Sequence, residues 1–118
     1  MIWCLHIPGW HPTPLNELMG SHAKAGRLKA KDREIVSRAV LGYGVAKATA
    51  KRRVSLMVVY PPGQRMHDPD AFYKSALDAL VATGALHNDS RKWVEWDRPE
   101  LARGEVLRTF ITIQDVTP

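Results

Sequence analysis

The sequence predicts a single α/β (α+β) domain over residues 1–118, a mixed β-sheet carrying two helices in the order β-α-β-α-β-β. Three observations carry that reading. "RRVSLMVVYPP" is a β-branched, nearly continuous apolar run closed by two prolines, the pattern of a strand. Two other stretches repeat their apolar residues at helical spacing. The last third turns strand-like again, in "KWVEW" and "EVLRTFITIQ".

Each element follows from its residues. "MIWCLHI" forms a first strand, stopped by "PGWHPTP", whose prolines force a loop. Cys4, inside that apolar strand, is expected to be a small core residue. Residues 15–30 are rich in Gly, Ala and Lys without a clear period, and are expected to form a mobile basic loop. "AKDREIVSRAVLGYGVAKATA" is the first helix, through Ile35, Val36, Ala39 and Val40, although Gly42 and Gly44 weaken its second half. The low polarity of "RRVSLMVVY" suggests a central strand buried on both faces. The second helix carries Phe72, Tyr73, Ala76, Leu77, Leu80 and Val81 as a broad apolar stripe. Asp68 suits its N-cap, Pro69 its first position and Gly84 its C-cap. The two closing strands flank "DRPELARG", and alternation in the last leaves open whether Val106 and Phe110 or the opposite set faces inward.

A chain of 118 residues with 45% hydrophobic and 25% charged residues buries a core without disulfides or a structural metal. The single cysteine excludes an intramolecular disulfide and a zinc cluster, and points to a reducing, cytoplasmic setting. "MIWCLHIPGW" lacks the basic start and cleavage site of a signal peptide. No membrane span is expected, since the longest apolar run, "SLMVVY", is far short of the roughly 20 residues a bilayer needs.

The net charge of +5 is concentrated between residues 24 and 53. Lys24, Arg27, Lys29, Lys31, Arg33, Arg38, Lys47, Lys51, Arg52 and Arg53 are opposed there only by Asp32 and Glu34. Such a block favours a polyanion, nucleic acid first, over the solvated helix face that is its plainer explanation. Lys24, Arg27, Lys29, Lys31 and Arg33, with Arg65 ahead of the second helix, are the candidate DNA contacts.

In "RMHDPDAFYKSALDALVATGALHNDS" the acids gather instead. Each has a structural explanation: Asp68 as cap, Asp70 in the first turn facing the helix dipole, Asp78 paired with Lys74. Their register says more. Asp70, Lys74 and Asp78 are spaced by four along one helix face, Asp68 stands at its start, and Asp89 follows its end. Hard cations such as Mg²⁺ take converging carboxylate oxygens and leave positions for water and phosphate. A neighbouring lysine stabilises charge on a phosphate in transfer.

The run resembles the signature of the RusA family of Holliday junction resolvases, D-x-D-N-x-x-K-x-x-x-D-A-L followed by a Gly and an Asp-Asp pair. Asp68, Asp70, Lys74, Asp78, Ala79, Leu80, Gly84 and Asp89 fall in register with it without a gap. The strong part covers about residues 65 to 95; "HPTPLN", with Asn16, is a looser match. The resemblance implies a RusA-like fold and a Mg²⁺-dependent endonuclease, with Mn²⁺ a possible substitute, acting as a homodimer on four-way DNA junctions. It makes Asp68, Asp70 and Asp89 the metal-binding acids, Lys74 the essential lysine and Asp78 a supporting acid. Two positions depart: the family's asparagine is Ala71 here, and the first of its paired acids is Asn88. Rival constellations are weaker. His67-Asp68 with His87 and Asp89 echoes an HD-type phosphohydrolase but lacks the helical histidines upstream, and the lysine of a PD-(D/E)xK nuclease is replaced by Asp97.

Overall fold

A computed structural model describes residues 1–116. Five strands, β1 (Ile2–Pro8), β2 (Arg52–Tyr60), β3 (Val94–Trp96), β4 (Glu100–Arg103) and β5 (Arg108–Asp115), form one mixed sheet. The order is β1-β5-β2-β3, with β4 also on β2. β5 runs antiparallel to both β1 and β2, while β3 and β4 lie parallel to β2 along its other edge. β2 is therefore the central strand that its apolar run predicts. Burial on both of its faces holds only at its end, in Val58, Val59 and Tyr60; Arg53 is exposed, and Ser55 and Met57 are half-buried.

Three α-helices, not two, accompany the sheet: α1 (Leu15–Leu18), α2 (His22–Gly42) and α3 (Tyr73–Ala82). The segment expected to be a loop is thus largely helical, and β4 is an element the sequence reading left as connection. The element order becomes β-α-α-β-α-β-β-β. The α2 start is marked by Ser21, whose side chain accepts from the Lys24 amide. Its end comes earlier than expected because Gly44, at φ +67°, takes the left-handed turn that stops the helix. Gly84 does the same after α3 at φ +82°.

The core is one apolar layer between the sheet and α2 and α3. Trp3, Leu5 and Ile7 of β1, Val54, Leu56 and Val58 of β2, and Ile111 and Ile113 of β5 meet Val36 and Val40 of α2 and Phe72, Ala79 and Leu80 of the segment that contains α3. In β5 the set opposite to Phe110 faces inward, and Val106 lies outside the strand and exposed. Cys4 contradicts its expected place: β1 alternates, and the thiol falls on the outer face, exposed, beside the Thr112 hydroxyl. Among the described residues no helix is long and apolar enough to cross a membrane.

Two buried charges tie the layers together. Asp32 of α2 accepts from Trp10 Nε1 at 3.0 Å, from the Thr13 amide at 2.9 Å and from the Ser75 hydroxyl. It thereby joins the loop after β1 to both long helices. Arg52 donates to Asp115 at 2.9 Å and to the carbonyls of Ala46 and Ala85, and lies over the Trp3 ring. Counted from the sequence as part of a DNA-facing basic block, Arg52 is instead an internal strut.

Candidate active site

The second helical segment begins as its residues dictate. Asp68 takes an extended N-cap conformation and accepts from the Asp70 amide at 3.0 Å, and Pro69 opens a 3-10 turn over Pro69–Phe72 that runs into α3. Phe72, fully buried, anchors that turn in the core. With the turn fixed, Asp68 and Asp70 are left exposed.

Both carboxylates open on one cleft of about 580 Å³, whose walls include Leu15, Asn16 and Met19 of α1 and Arg65 and Met66 of the loop before the helix. That loop is held from β4: Arg103 donates to the Pro61 carbonyl at 2.9 Å and to Gln64 O at 2.5 Å. Asn16, only a loose match in the sequence, thus stands beside the two acids. Arg98 also escaped the sequence reading; its guanidinium bonds Asp70 at 3.3 Å.

Of the remaining acids, Asp78 lies on α3 and Asp89 in the turn after it. Lys74 points outward and pairs with Asp78 at 3.2 Å, as the spacing of four predicts. Asp78 and Asp89 line a second groove with Lys29, Arg33 and Asn88. Asp89 also lines a third with Tyr73 and Trp96, and Asp70 does not open on it. Burial raises the pKa of the Tyr73 hydroxyl, with smaller pushes from the Asp70 and Asp97 charges, and it donates to the Trp96 carbonyl at 3.2 Å. Among the described residues no three His, Cys, Asp or Glu side chains stand close enough to hold a metal ion by themselves. Of the predicted metal acids, Asp68 and Asp70 share a cleft and Asp89 does not open on it.

The two departures from the signature have visible roles. Asn88 Oδ1 accepts from the Ser90 amide at 3.0 Å, holding the turn after α3. Ala71 lines the cleft where a longer side chain stands in the pattern. The two histidines of the HD-type reading have different neighbours: His67 sits among Tyr60, His11 and Phe72, its ring 3.0 Å from the Tyr60 hydroxyl, while His87 rests on Trp93. Burial lowers the His67 pKa, and His11 and Arg65 add to that.

The basic residues divide. Arg52 is buried, Arg53 forks onto Asp97, Lys51 pairs with Glu95 and Arg38 with Glu34. Among the described residues, Lys24, Arg27, Lys29, Lys31, Arg33 and Arg65 make no ion pair within 4.0 Å. At about 100° per residue, Lys24, Arg27 and Lys31 flank one side of the buried face of α2 and Lys29 and Arg33 the other. No protein-family model and no curated protein matches the chain.

Proposed function

We propose that the chain is a Mg²⁺-dependent endodeoxyribonuclease of the RusA type, cutting four-way DNA junctions by paired symmetric nicks as a homodimer in recombination and repair. The observation that carries the reading is the ungapped register of Asp68, Asp70, Lys74, Asp78 and Asp89 along one helical segment and the turn after it, with Asp68 and Asp70 opening together on a cleft. Asp68 and Asp70 offer the hard oxygens Mg²⁺ takes, and sites of one or two protein carboxylates completed by water and phosphate are ordinary for that ion. Bound there, Mg²⁺ supplies a water of lowered pKa and positive charge beside the phosphodiester.

The chain's own residues do the rest. The Asp68 cap fixes the turn, so the two carboxylates keep one orientation. Lys74, steadied by Asp78, presents an ammonium to the scissile phosphate. The unpaired cations of α2 and Arg65 hold the arms through phosphate contacts, which makes binding steeply salt-dependent. Asp89, on the groove it lines with Tyr73, is the third acid by resemblance. Two subunits related by a two-fold axis match the symmetry of a junction.

A second reading, a non-catalytic nucleic-acid-binding protein, is favoured by the Asp70–Arg98 pair and by the lack of three converging ligands among the described residues. A synthetic four-way junction separates the two. The wild-type protein nicks it with Mg²⁺ or Mn²⁺, while Asp70→Asn binds it in EDTA and does not cut. Binding without any nicking by the wild type sinks the nuclease reading, and equal cutting of flaps, forks or plain duplex removes the junction preference.

A further inference from the structure

The cleft beside Asp68 and Asp70 has one property that phosphate binding leaves unexplained. Part of its wall is apolar and open: Met19 is 75% exposed and Leu15 43% exposed, and Met66 beside the acids in sequence is half-buried. Four-residue α1, which carries that wall, is preceded by buried Pro12, Thr13 and Pro14, and the Thr13 amide is pinned to Asp32. The wall is therefore held in place. The same cleft is lined by the exposed Asn16 amide, with both a donor and an acceptor, and by the Arg65 guanidinium, which makes no ion pair among the described residues.

We infer that this cleft seats an unpaired nucleobase next to the scissile phosphate, and that Asn16 and Met19 set which base is preferred. The inference rests on the nucleic-acid reading above and deepens it. A nucleotide carries an anionic phosphate and a flat apolar base on one sugar. The lining offers chemistry for both, a guanidinium and two carboxylates that suit a cation, and thioether and aliphatic surface. Its volume of about 580 Å³ is that of sites for small organic ligands. A base freed from its stack buries its face on Met19 and Leu15, and its polar edge finds the Asn16 amide.

The test needs no cleavage. A single-stranded oligonucleotide bearing one 2-aminopurine is titrated with the protein in Ca²⁺. A several-fold change in probe fluorescence is expected on binding. Asn16→Ala and Met19→Ala, checked for unchanged circular dichroism, lose that change at saturating protein, where phosphate contacts still hold the strand. In junction cleavage, the rate varies about 10- to 100-fold with the base beside the nick, and Asn16→Ala flattens the variation. Binding by the wild type without a fluorescence change, or variants that keep it, overturns the inference. A fluorescence change in a protein that never cuts overturns the nuclease reading and supports this one. No binding of DNA overturns both.

Discussion

Replacing Asp32 by alanine tests whether the one buried acid of a basic helix is the pin of the fold. The side chain is 3% exposed and serves three donors from three parts of the chain. Its loss leaves Trp10 Nε1 and the Thr13 amide without an acceptor, while the Ser75 hydroxyl can turn back to its own helix carbonyls. Two orphaned buried donors at about 1–3 kcal/mol each, with the lost charge assistance, give a destabilisation of about 3–5 kcal/mol. For 118 residues, unfolding entropy near 0.25 kcal/mol/K makes each kcal/mol about 4 °C, so Tm falls by about 12–20 °C. Asp32→Asn keeps the size but sets an NH₂ against at least one donor, and is expected to cost about 1–3 kcal/mol. Urea unfolding followed by circular dichroism measures both. In the Asp32→Ala, Ser75→Ala double variant the two costs add to less than their sum. A loss for Asp32→Ala within about 0.5 kcal/mol, the range of an ordinary surface change, refutes the reasoning.

Three further outcomes follow from the same structure. The Asp97 pKa is lowered by hydrogen bonds from Arg53 and Ser55, so its stabilising contribution is present above the ordinary carboxylate range and is lost as pH falls through its depressed value. Acid unfolding of Asp97→Asn should therefore show a shallower decline with pH than the wild type; parallel curves refute it. A Cβ on Gly104 meets Val59 Cγ1 at 2.6 Å, and Val59 is buried, so Gly104→Ala is expected to destabilise by about 1–3 kcal/mol in a denaturant titration. Cys4, on the open sheet face, is expected to react with a thiol reagent in the native protein nearly as fast as in urea, and protection in the native state contradicts that placement.

The legible parts of the chain were those written in local chemistry. The β-branched β2, the Asp68-Pro69 start and the stripe through Phe72, Ala76 and Leu80 need only neighbouring residues to be recognised. The Lys74–Asp78 pair follows from spacing alone. What escaped depends on distant partners. The first half of α2 holds only Ala25 and Leu28 as half-buried apolar residues, so no stripe announces it; Ser21 was its one local signal. "ELAR" has little strand propensity and extends because β2 offers it a parallel edge. The Asp32 contacts join residues 19 to 43 positions apart, beyond the reach of any pattern. For the candidate site, the sequence assembled the acids in one register, and the placement of Asn16 and Arg98 beside them came from tertiary contacts.

The break between β3 and β4 bears on how the cleft handles charge. Asp97 stays on β2, its amide on the Val54 carbonyl and its carboxylate on Ser55 and Arg53, and the next residue, Arg98, reaches Asp70 before β4 begins. That guanidinium is a resident counter-ion, and both partners are mostly exposed, at 72% and 65%. Pairs of this kind contribute about 0–1 kcal/mol and weaken with salt. On the proposed reading, a cation arriving at Asp70 would displace Arg98 with little penalty, and the released guanidinium would stand free to face the anion that follows.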